Sequence, residues 1–107
     1  MDDPVLVYTT WPDAAAAERA GATLVASRIA ACVNILPGMI SIYAWEGAVE
    51  RGQEAVMIVK TRSRLKERVM AALRDAHPYE TPAILALPVI AVDAAYGAWI
   101  AAETIED

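Results

Sequence analysis

Apolar positions along this chain fall into β-like runs and helix-spaced stripes, and each predicts an element. Val5-Leu6-Val7-Tyr8-Thr9-Thr10-Trp11 is an unbroken β-branched and aromatic run closed by Pro12, which predicts a central strand buried on at least one face. From Ala14 to Ile29 the pattern changes to helical spacing through Ala17, Ala20 and Leu24, and Asp13 stands where it can cap the first turn. Ala31 to Trp45 is β-like again, interrupted at Pro37-Gly38 as a bulge or kink would interrupt it. Glu50-Arg51-Gly52-Gln53 is expected to turn the chain into a return strand, Ala55 to Thr61. A second helix is predicted from Ser63, with Leu65, Val69 and Leu73 as its core stripe and Lys66, Arg68 and Arg74 left to solvent; His77-Pro78 stops it. Pro82 to Val89 is a short apolar strand whose prolines suit an edge, and Asp93 can cap a last helix carrying Tyr96, Trp99 and Ile100.

This order, β-α-β-β-α-β plus a terminal helix, predicts an α+β fold of the ferredoxin-like split β-α-β type, with residues 1–107 as one domain. The first arm of the hairpin is about twice the usual strand length of five or six residues, so part of it must overhang the sheet. An overhanging edge calls for another chain, and cyclic closure of three copies gives a homotrimer with clefts between subunits. Composition points the same way: 57% of residues are hydrophobic and there is no Phe. A mean hydropathy of +0.34 is more apolar surface than one small core hides easily.

A formal charge of -5 opposes binding to phosphate backbones and anionic lipid, so neither nucleic acid nor membrane is an expected partner. The start, Met1-Asp2-Asp3-Pro4, is acidic where a signal peptide would be basic, and no apolar stretch reaches the ~18 residues of a membrane helix. One cysteine, Cys32, forms no intramolecular disulfide, which fits a reducing compartment; the expected location is cytoplasmic.

Chemistry narrows by elimination. A single histidine, His77, excludes an HExxH zinc helix, and the five glycines fit neither a dinucleotide fingerprint nor a P-loop. No catalytic residue is assigned and no cofactor is required. His77, in His77-Pro78-Tyr79-Glu80, is either a ligand or proton-transfer group, with Glu80 placed to hold a tautomer, or a helix C-cap. Cys32, among alanines and Val33, is a buried structural thiol or half of a soft-metal pair with His77, which would favour copper or zinc. Tyr43 and Trp45 share one face of a strand, as a cleft wall or as packing between copies, with Glu46 beside them. Lys60, before Thr61-Arg62, puts a cation at the entrance to helix two, where an anion could dock; otherwise it pairs with Glu46 or Glu80.

Five ordered segments carry a wider likeness: Ala30-Ala31-Cys32-Val33-Asn34-Ile35-Leu36-Pro37-Gly38, Ser41-Ile42-Tyr43-Ala44-Trp45-Glu46-Gly47, Met57-Ile58-Val59-Lys60-Thr61, His77-Pro78-Tyr79-Glu80-Thr81-Pro82 and Leu87-Pro88-Val89. Together they resemble the CutA divalent-cation-tolerance proteins over nearly the whole chain. The resemblance implies a ferredoxin-like homotrimer shaped like the PII signalling trimers, with no established reaction and a link to divalent metals, copper above all. In the family's copper-binding pattern a cysteine near the end of the first strand joins two adjacent histidines; the matching positions here are Thr9 and Ala76, and His77 alone is retained. The resemblance thus implies a weak copper or other divalent contact at His77, a weaker one at Cys32, and an inter-subunit cleft of Tyr43, Trp45, Glu46, Lys60, Tyr79 and Glu80. A PII-like sensor of small anions and a purely structural trimer are the alternatives.

Overall fold

The computed structural model describes residues 2–105; Met1, Glu106 and Asp107, which the single-domain and N-terminal expectations include, lie outside the described residues. Strand β1 (Pro4–Trp11) leads to helix α1 (Ala14–Ala26), the long strands β2 (Cys32–Trp45) and β3 (Ala48–Arg62), a 3-10 turn (Ser63–Leu65), helix α2 (Lys66–Ala76), strand β4 (Ile84–Pro88) and helix α3 (Ala94–Glu103). The sheet order is β2-β3-β1-β4 with every neighbour antiparallel, so β1 is central and β4 lies on an edge, as expected of the ferredoxin-like arrangement.

Alternation along the strands sends one set of side chains toward the helices. Val7, Met57 and Val59 from the sheet, Leu24 from α1 and Val69 and Leu73 from α2 are all fully or almost fully buried. Each such side chain contributes roughly 1.5–3 kcal/mol over its exposed state. Gly21 lets α1 approach closely, since a Cβ there would come within 2.8 Å of Val33 Cγ2 and 2.9 Å of Met57 Sδ. Asp13 and Asp93 cap their helices, accepting the backbone N–H groups of Ala16 and Tyr96.

Two local expectations need correction. The hairpin turns at Glu46-Gly47, not at Glu50 to Gln53, because both of those residues take positive φ (48° and 83°), the two-residue turn whose twist matches the strands. Residues 50–53 instead pair with Ile40 to Tyr43. Helix α1 ends at Ala26, three residues before Ile29, because Arg28 adopts φ 63°. The N–H groups of Arg28 and Ile29 then close on Val25 and Leu24 carbonyls, a Schellman cap with arginine where glycine is usual. Its guanidinium compensates by donating to the Ala102 and Glu103 carbonyls at the end of α3.

The register slips between Leu36 and Met39, where Pro37-Gly38 stand opposite Ala55, so the expected bulge is present. Trp11, the last residue of β1, also faces Ala55. Beyond that point, Met39 to Glu54 form a two-stranded ribbon with no third strand beside it among the described residues, and the molecule measures 44 × 26 × 21 Å.

Candidate functional site

The proline at 78 disfavours helical backbone at the preceding residue, so His77 becomes the extended C-cap of α2 (φ -80°, ψ 134°), and its ring packs against the end of β1. The ring is 9% exposed, stacked on Trp11 at 4.1 Å and tilted against Tyr79 at 4.7 Å. Its Nδ1 accepts the Tyr79 N–H at 3.2 Å, and its Nε2 meets the Thr10 carbonyl at 2.6 Å. An amide N–H only donates and a carbonyl only accepts, which assigns the neutral tautomer protonated on Nε2. Backbone groups therefore hold the tautomer, not the Glu80 carboxylate expected to do so.

The same turn delivers Tyr79, whose hydroxyl donates to Glu54 Oε2 at 3.0 Å, while Ser41 donates to Glu54 Oε1 at 2.8 Å. Glu54 is the first ribbon residue past the end of β1, so one carboxylate ties both ribbon strands to the α2–β4 loop. Burial, then the Glu54 hydrogen bond and charge, push the Tyr79 phenol up to about 12. Neither Ser41 nor Glu54 was singled out from sequence. Their signal is slight: Ser41 is the one polar residue in an apolar stretch of β2, Glu54 ends a polar stretch of β3, and the two meet diagonally beside the bulge.

Cys32 and Lys60 are cross-strand partners at the opposite end of the sheet. Lys60 donates from Nζ to the Tyr96 hydroxyl of α3 at 3.1 Å and lies 5.3 Å from that ring's centroid, so it pairs with neither Glu46 nor Glu80. That hydrogen bond raises the lysine pKa against the opposing pull of burial. The half-buried Cys32 thiol receives a long contact, 3.8 Å, from Asn34 Nδ2. At the entrance to helix two, the position expected for an anion holds the chain's own Asp2. Its carboxylate accepts the Arg64 N–H at 2.8 Å and Arg62 Nη1 at 2.6 Å.

The candidates thus fall into three groups within one chain. Tyr43 and Trp45 are half-exposed on one face of the ribbon, with Glu46 in its turn. His77 and Tyr79 sit at the end of β1, whereas Lys60 pairs with Leu6 and Cys32 with Lys60 one strand further out, about 16 Å along the strand direction at ~3.3 Å per residue. Among the described residues, no hydrogen bond joins Glu80 or Lys60 to His77 or Tyr79. Nor do those residues contain a group of three or more His, Cys, Asp or Glu able to hold a metal ion. With both nitrogens of its histidine engaged, a single chain does not fit a chelated cation.

Residues 5–103 match the family model described as CutA1 divalent ion tolerance protein. The divalent-cation tolerance protein CutA of Pectobacterium atrosepticum is 40% identical over 98 residues, covering 92% of this chain and 89% of its own. Its counterpart in Citrobacter koseri is 40% identical over 100 residues, covering 94% and 87%. Among solved structures, CutA1 from Oryza sativa superposes with a TM-score of 0.94 at 34% identity, covering 98% of this chain and 96% of that one. CutA from Xylella fastidiosa gives 0.93 at 36% identity, with 96% and 99% covered.

Proposed function

The chain belongs to the CutA1 divalent ion tolerance family, and from that premise we propose that it serves divalent-cation tolerance as a non-catalytic homotrimer. One observation carries the assembly. The ribbon from Met39 to Glu54 has open strand edges and bears Ile42, Trp45 and Val49 largely in water, with Ile42 72% and Val49 80% exposed. A two-stranded ribbon is marginal alone, and apolar side chains at that exposure are covered most economically by copies of the same chain.

The cation contact in this reading is weak, for reasons visible in the geometry. His77 can offer Nδ1 only by giving up the Tyr79 amide, and Cys32 brings one thiol, so further donors must come from other copies or from water. A non-catalytic role is supported by the same bonds: the imidazole is fixed by backbone groups and the Lys60 ammonium is held by Tyr96. Sedimentation equilibrium combined with copper titration tests the proposal. Three chain masses at micromolar concentration, with weak copper binding that falls further in His77→Ala, are expected. A single chain mass of 11.5 kDa would contradict the assembly, and identical isotherms would remove His77 from the contact.

A further inference from the structure

We propose that Trp11, His77 and Tyr79 form an electron-transfer relay: when an oxygen-centred radical oxidises the buried indole by one electron, the oxidation moves out to the Tyr79 phenol, whose proton goes to Glu54. The three rings follow one another from core to solvent. Trp11, 1% exposed, stacks on His77 at 4.1 Å between centroids, and His77 lies 4.7 Å from Tyr79, which is 39% exposed. Imidazole is harder to oxidise than indole or phenol, so His77 is the bridge and holds no charge. Its ring is fixed at both nitrogens, by the Thr10 carbonyl and the Tyr79 N–H, which holds both spacings.

Two observations set the direction. The Trp11 Nε1–H is buried without a hydrogen-bond acceptor, so an oxidised indole has no base for its proton and stays a cation, which its apolar surroundings penalise. The Tyr79 hydroxyl, in contrast, already donates to Glu54 Oε2 at 3.0 Å. An electron passes from Tyr79 through His77 to the indole, the Tyr79 O–H bond breaks, and its proton crosses to Glu54. Trp11 is restored, the radical rests on the Tyr79 oxygen, and the carboxylate has cancelled the positive charge. The oxygen-centred radical has become its anion. A soluble thiol then returns a hydrogen atom to Tyr79, becoming a thiyl radical, and Glu54 releases its proton to water. Burial and the Glu54 bond push the phenol pKa up to about 12, so its electron leaves together with the proton and not from a phenolate. The chain contains its own contrast: Tyr96 stacks on Trp99 at 5.5 Å, yet its hydroxyl accepts from the Lys60 ammonium, and among the described residues no carboxylate stands ready for its proton. The relay lies within one chain and depends on neither the assembly nor the cation contact proposed above.

Flash photolysis of the intact chain carrying Trp45→Phe and Trp99→Phe, both at exposed rings, reads the relay directly, because Trp11 is then the sole indole. A flash that indole alone absorbs, with a cobalt(III) ammine as electron acceptor, places the oxidation on Trp11. The indole radical cation is expected to decay as the tyrosyl absorption rises, at one rate that does not change with protein concentration. Tyr79→Phe, which keeps the ring, should prolong the indole radical about tenfold or more and abolish the matched rise. Glu54→Gln, which keeps a hydrogen-bond acceptor but removes the base, should slow the transfer by about the same factor, and Tyr96→Phe should leave it unchanged. A tyrosyl rise that survives Tyr79→Phe, that scales with protein concentration, or that keeps its rate in Glu54→Gln would overturn the proposal.

Discussion

Val59 and Val49 belong to the same strand and are the same residue, yet Val59 is fully buried and Val49 is 80% exposed. The first lies in the four-stranded base under two helices, the second in the ribbon that extends past the end of β1. Strand propensity and alternating pairs are alike in both regions, so neither explains the difference. What separates them is the presence of a third strand and a helical layer. The base accounts for its own stability through burial. The ribbon has pairing and the Glu54 contacts, and within one chain its apolar side chains Ile42, Trp45 and Val49 stand largely in water.

The sharpest contrast should come from truncating one apolar side chain in each region. Leu73→Ala, in the sealed base, is expected to cost about 2–5 kcal/mol, seen as a large fall in the urea midpoint. Val49→Ala should stay within about 0.5 kcal/mol of wild type when the chain is dilute enough to be monomeric. Equal losses at the two sites would erase the distinction between base and ribbon.

A smaller effect should localise to the junction. Tyr79→Phe keeps the ring beside His77 and removes the donor to Glu54, so about 0.5–1.5 kcal/mol is expected to be lost. Hydrogen exchange should accelerate in the ribbon near Ser41 and Glu54 and remain unchanged in β1. Uniform acceleration would mean that the contact supports the whole fold and not the ribbon.

The mildest signature is alkaline. The fold raises the Tyr79 pKa above its ordinary value near 10, so it favours the neutral phenol. That contribution is complete below pH 10 and disappears as pH rises toward about 12, and Lys60, also raised, acts with the same sign. Thermal melts should therefore decline over this range, less steeply in Tyr79→Phe. An unchanged slope in the variant would remove Tyr79 as the cause.

Much of the base was legible because its signals are local. The Val5 to Trp11 run, the Asp13 and Asp93 caps, the Leu65-Val69-Leu73 stripe and the Pro37-Gly38 interruption each act over a few residues. The hairpin turn was misplaced because Gly52 sits in a polar cluster that looks like a loop, while Gly47 follows an aromatic run. Counting matched arm lengths from Glu46-Gly47 would have found it. Arg28 in left-handed backbone had no local warning, since its reward is a distant one, the carbonyls at the end of α3. The site was legible as residue types but not as neighbours. Glu54 and Asp2 meet their partners through register and topology, which bring together positions far apart in the sequence.

Amide hydrogen exchange of the β2 ribbon edge, from Met39 to Trp45, followed across protein concentration tests the central claim most directly. Half of those N–H groups point away from β3, and no other strand of the described chain lies there to receive them. Coverage by copies of the chain predicts strong protection at micromolar concentration that is lost on dilution, together with the mass of the assembly. Outward amides that exchange at the rate of an open edge at every concentration would contradict it.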